Sequence, residues 1–133
     1  MKERILITGS ILMGLAVLIG AFGAHTLNDL LVKNGRIDTF ETATKYLFYH
    51  SLGILFIGIL CKENKKNKKM EISYYLMFLG VIIFSGSLYI LSFTNITLFG
   101  AITPIGGVLF IISWLLLALS IKKQKHSKNN VLN

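Results

Sequence analysis

Seven side chains hold most of the chemistry this sequence could perform within its apolar stretches: His25, Tyr46, His50, Ser85, Ser87, Tyr89 and Thr103. Tyr46 and His50 stand four residues apart, so on a helix they share a face with Ala43 and Gly53. Histidines and hydroxyls set in an apolar environment have two uses. They can tie helices together, each hydrogen bond worth about 0.6–2 kcal/mol. They can also line a shallow polar pocket for an ion, a proton or a lipid headgroup. A zinc ion would require three or four ligands, and two histidines fall short, so no metal and no cofactor are expected. The sequence carries no G-x-S-x-G, no H-E-x-x-H and no Walker loop, and its apolar runs hold no carboxylate to serve as a base. Ser85 and Ser87 therefore read as packing residues rather than nucleophiles, and no enzymatic activity is expected.

The elements that must carry these residues follow from where charge is missing. Of 133 residues, 53% are hydrophobic and 15% charged, against roughly 25% charged in an average soluble domain. Ile5 to Ala24 is free of charge, as is Tyr46 to Cys61, and Ile72 to Ile121 holds no charged side chain over fifty residues. A bilayer core about 30 Å thick takes roughly 20 residues at 1.5 Å each. These lengths predict an all-α, four-helix transmembrane bundle with short loops, a single membrane domain over 1–133. The spans fall near 5–26, 39–61, 72–93 and 97–121, with 122–133 a basic tail. The N-terminus also has features of a cleavable signal, with Ala21-Phe22-Gly23 as the small-residue site, but its apolar run is longer than a usual signal core.

Basic residues set the expected orientation. Eleven of fourteen lie before the first span, between spans two and three (Lys62, Lys65, Lys66, Lys68, Lys69) or after span four. The positive-inside rule then places both termini in the cytoplasm. The lysine loop lacks interleaved aromatics and lies between spans, so it predicts attraction to anionic lipid and no nucleic-acid partner. With this orientation all seven polar residues fall toward the outer side. The inner half reads as nearly pure Leu, Ile, Val and Phe. His50 is expected to face the bundle interior with His25 close by.

Local signals complete the reading. Leu27, Leu30 and Leu31 suggest a short amphipathic turn at the membrane surface, and Asn34-Gly35 is a turn signal. Asp38 with Glu41 reads as a capping box that starts a helix near Thr39. Asn95 marks the reversal between the last two spans. Pro104 reads as either the first residue of a helix or, preferably, an internal proline in a helix that begins near Thr97. Ala16, Gly20 and Ala24 form a stripe of small residues that permits close helix packing or self-association.

Several ordered motifs make a resemblance visible. They are Gly20-Ala21-Phe22-Gly23-Ala24-His25, Tyr46 with His50, Phe84-Ser85-Gly86-Ser87-Leu88-Tyr89, Thr103-Pro104-Ile105-Gly106-Gly107 and Trp114. The sequence resembles the YgdD-like family of small bacterial membrane proteins over about Ile5 to Ile121. It departs from the family at Leu47, where a glutamine is usual. The resemblance implies a multi-pass protein of the bacterial inner membrane and assigns no activity. The expected function is structural or accessory, with the lipid bilayer and another membrane protein or a second copy as partners. The alternative is a small-ligand, ion or proton-responsive binding or transport protein that uses the outer polar layer.

Overall fold

The computed structural model describes residues 2–61 and 67–129, so Lys62, Lys65 and Lys66 of the expected lysine loop lie outside the described residues. Among the described residues five helices follow one another: α1 (Lys2–Ala24), α2 (Asn28–Asn34), α3 (Ile37–Leu60), α4 (Lys68–Thr94) and α5 (Leu98–Asn129). There is no strand among the described residues. Four of the helices are long and apolar enough to cross a bilayer: Lys2–Ala24, Ile37–Leu60, Lys68–Thr94 and Leu98–Ile121. The architecture is an all-helical bundle with four candidate membrane spans, as the charge-free runs predict.

The helix ends show how the chain is punctuated. The surface turn is the short helix α2, with Leu31 buried and Leu30 and Val32 exposed. It closes on Gly35 at φ 65°, where the Gly35 N–H donates to Val32 O and the Arg36 N–H to Leu31 O at 2.9 Å. That left-handed residue with its paired bonds is the ending glycine supplies most cheaply. α4 starts at Lys68, a turn earlier than the apolar run suggests. The Asn67 side chain accepts from the Lys69 and Met70 N–H groups and caps it. α4 ends at Asn95, φ 57°, the reversal the sequence marks. Pro104 lies inside α5, which begins at Leu98, in line with the internal-proline reading.

The capping-box expectation is corrected. α3 begins at Ile37 with Arg36 before it and no side-chain cap, so Asp38 sits within the first turn. The residues ahead of α3 are engaged elsewhere. Arg36 Nε donates to Asn95 Oδ1 at 2.8 Å, and Asn34 Nδ2 donates to Ser92 O and Phe93 O. Those carbonyls belong to the last turn of α4, where no helical partner exists. The α2–α3 connection is thus strapped across the end of α4, and this fixes the start of α3 relative to the end of α4.

Glycines set the helix crossings. α1 meets α3 where Gly9 faces Leu55 and Gly58 faces Leu6. α5 meets α4 where Gly106 lies against the backbone of Phe84 and Gly80 against the ring of Phe110. Lipid tails are as apolar as leucine, so association inside a bilayer rests on close packing and hydrogen bonds, and glycine allows both. Ile5, Leu12, Leu47, Ile54, Ile57, Met77, Val81 and Phe110 fill the centre. Ile7, Ile11, Val17, Ile59, Ile111 and Leu115 point outward, as lipid-facing residues do.

The half expected to be nearly pure Leu, Ile, Val and Phe also holds polar ties between helices. Ser73 Oγ donates to Ser113 O at 2.8 Å and Ser113 Oγ donates to Ser73 O at 2.7 Å, a reciprocal clamp between α4 and α5. Thr8 and Tyr74 pair their hydroxyls at 3.2 Å across α1 and α4. Single serines in long apolar runs are easily overlooked, because each registers only when a second helix brings its partner.

Candidate functional site

The outer polar residues are built around α4. Ser85 is buried on the face toward α3 and donates to Ala43 O at 2.9 Å. Ser87, two positions on, points the other way and pairs with Thr103 of α5 at 2.8 Å between hydroxyl oxygens. Each of that pair also lies within reach of a carbonyl of its own helix, Phe84 O for Ser87 and Phe99 O for Thr103. One hydroxyl donates to the other while the acceptor donates to its own carbonyl, so both are satisfied. One turn above Ser85, Tyr89 OH donates to Thr44 Oγ1 at 3.0 Å, and Thr44 donates onward to Phe40 O. The ring of Tyr89 meets Phe40 edge-on with centroids 5.2 Å apart. Ser85, Ser87, Tyr89 and Thr103 therefore do form one layer, and every hydroxyl in it is spent on a neighbouring helix or its own backbone.

The two histidines part company. His25 lies exposed in the turn after α1 and makes no side-chain hydrogen bond among the described residues, so it does not join His50 as expected. The turn leads straight into α2, which leaves the imidazole outside the helix faces. His50 is only 7% exposed and does face the interior, but near the middle of α3 rather than in its outer third. Its Nδ1 lies 2.8 Å from Tyr46 O, and its ring stacks on Phe110 with centroids 3.4 Å apart. Tyr46 is 38% exposed and lies flat against Phe84, with centroids 4.3 Å apart. Tyr46, His50, Phe84 and Phe110 thus form an aromatic stack between α3, α4 and α5.

A cleft of about 230 Å³ opens between the end of α1, α2 and the start of α3. Gly20, Gly23 and Ala24 line it on the α1 side, where Gly23 lets the Phe40 ring lie directly against α1 and Gly20 faces Thr44. Phe40 and Thr44 form the opposite wall, and the Glu41–Lys45 ion pair at 3.0 Å stands in its lining. Both charged side chains are more than half exposed, so the pair contributes little to stability. No group of three or more His, Cys, Asp or Glu residues able to hold a metal occurs among the described residues.

Sequence reasoning missed Thr44, Asn34 and Arg36, which complete or brace this layer. Thr44 carries a weak signal, since it lies on the α3 face toward α1 and α4, one turn from Phe40. Asn34 and Arg36 carry none, because their partners are fifty-eight and fifty-nine residues away.

Comparison with known proteins places the chain in a family. The model of a family described as "Protein of unknown function (DUF423)" matches residues 19–107, which takes in every residue of the polar layer. A UPF0382 membrane protein of Staphylococcus epidermidis is 45% identical over 118 residues, covering 89% of this chain and 94% of that protein. One from Staphylococcus saprophyticus is 46% identical over 114 residues, 86% of this chain and 92% of its own length. The UPF0382 membrane protein YwdK of Bacillus subtilis is 42% identical over 118 residues, 89% and 95% of the two chains. No solved structure matches. A family match over more than half the chain and relatives of this similarity settle the placement: the chain is a membrane protein of the DUF423 family.

Proposed function

We propose that this protein is a non-enzymatic, structural or accessory component of the bacterial cell (inner) membrane, with both termini in the cytoplasm, that works through contact with another membrane protein or a second copy of itself. The observation that supports this most is the use of the outer hydroxyls: Ser85, Ser87, Tyr89 and Thr103 all bond within the bundle. Groups already committed to tying helices are poor nucleophiles and poor ligands. α1 is the natural contact face, because it is the least covered of the four spans and presents Ile7, Ile11, Val17 and Leu18 outward. A photo-crosslinking residue placed at Ile11 or Val17 in intact cells should give a protein adduct of one defined mass. An adduct of twice the protein's mass identifies a second copy, and adducts to lipid alone at both positions overturn the reading.

The orientation rests on the distribution of basic residues along the sequence, eleven of which come before the first span, between spans two and three or after span four. Single-cysteine reporters test it, with Cys61 buried and out of reach. Lys33→Cys in α2 should react with a membrane-impermeant maleimide on intact cells, and Lys125→Cys should react only after lysis. Labelling of position 125 from outside reverses the orientation.

A further inference from the structure

We infer that His50 is the recognition group of an intramembrane site for a lipid-soluble molecule bearing a hydroxyl group, reached from the bilayer through the seam between α3 and α5. A carbonyl oxygen only accepts, so Nδ1, 2.8 Å from Tyr46 O, carries the ring hydrogen. The uncharged ring then presents a lone pair at Nε2. No donor meets that atom among the described residues, although the side chain is more than nine-tenths buried. The indole N–H of Trp114, whose ring centroid lies 6.3 Å from that of His50, also has no acceptor among them. Buried polar groups are nearly always paired, and the serines of the same bundle keep to that rule. A buried acceptor left without a donor marks a place for a further group.

Depth favours a partner that arrives from the bilayer. His50 lies thirteen residues after Ile37 and ten before Leu60, about 20 Å and 15 Å along the helix. The hydrocarbon core supplies no water at such a level. The seam is also accessible. Between α3 and α5 it is bordered by the rings of Tyr46, Phe110 and Trp114, of which Tyr46 is 38% and Trp114 42% exposed.

The chemistry of the partner follows from these atoms. Nε2 requires a donor, and the indole N–H requires an acceptor. A hydroxyl provides both, as a long-chain alcohol or a hydroquinone would. An ester, ketone or quinone carbonyl offers no donor and is refused. A metal ion would find one nitrogen and no carboxylate beside it. The site is independent of the accessory role, since it uses none of the hydroxyls committed to helix packing.

Trp114 is the only tryptophan of the chain, so its fluorescence reports on this seam alone. The full-length protein in lipid nanodiscs is titrated with a bromine-tagged long-chain alcohol, with its methyl ether, and with a tagged hydroquinone and its dimethyl ether. One buried hydrogen bond predicts saturable quenching at about fivefold lower concentration for the free hydroxyl than for the ether. The carrier with the larger ratio is the preferred class. His50→Phe keeps the stacking ring, removes the acceptor and should bring that ratio to about one. Equal quenching by hydroxyl and ether in the unaltered protein, for both carriers, overturns the site whether or not the variant folds. An unchanged ratio in a folded His50→Phe protein removes His50 from it.

Discussion

Gly106→Ala should lower the unfolding free energy by about 3 kcal/mol, measured by reversible unfolding in mixed micelles. A Cβ at this position would lie 2.6 Å from Phe84 N, 2.7 Å from its Cβ and 2.9 Å from its Cα. Two of those three atoms are backbone of a facing helix, and backbone cannot rotate aside. The crossing of α4 on α5 must open, which puts the cost at the upper end of the 1–3 kcal/mol typical of overpacking. It also separates Ser87 from Thr103 three residues away. Two comparisons isolate the cause. Gly53→Ala meets Met77 Sδ and the edge of Trp114, which can shift, so about 1 kcal/mol is expected. Gly14→Ala meets nothing within 4 Å and should change stability by less than about 0.5 kcal/mol. Equal effects at Gly106 and Gly14 would mean that the α4–α5 crossing is not held by this glycine.

Much of the architecture is legible in the sequence because a bilayer imposes a length and a polarity that a charge-free run must match. The reversal at Asn95, the turn at Gly35 and the internal Pro104 are local signals, and they read correctly. The capping box at Asp38 failed because a nonlocal demand competed with it. Arg36 and Asn34 are drawn to the end of α4, and α3 begins where that strap ends. The polar residues were legible as types but not as partners. Ser85, Ser87, Tyr89 and Thr103 sit where helix direction places them, yet which helix each one meets depends on rotation about the helix axis. That rotation is set by Gly80 and Gly106, whose role no pattern of hydrophobicity reveals. His25 was misplaced for a different reason: it falls in the turn between α1 and α2, which directs it away from the bundle. The clamp between Ser73 and Ser113 was invisible because each serine alone looks like a small residue in a membrane span.

The account rests on the hydroxyls of α4 acting as ties between helices, and their joint removal has the second largest expected effect. Ser85→Ala frees Ala43 O, Ser87→Ala leaves Thr103 to its own carbonyl, and Tyr89→Phe releases Thr44 while keeping the ring against Phe40. The acceptors left behind have alternative partners on their own helices, so no orphan is created and the loss reports the ties themselves. Interhelical hydrogen bonds in membranes average about 0.6 kcal/mol with a maximum near 1.7, so the three together should be worth about 2 kcal/mol. The decisive measurement is the unfolding free energy of Ser85→Ala/Ser87→Ala/Tyr89→Phe in mixed micelles, taken beside the α1 crosslink in cells. The account predicts a loss of about 2 kcal/mol with the same crosslinked product at Ile11 or Val17. A variant as stable as the unaltered protein that has lost the product would contradict it, since the hydroxyls would then serve the partner rather than the bundle.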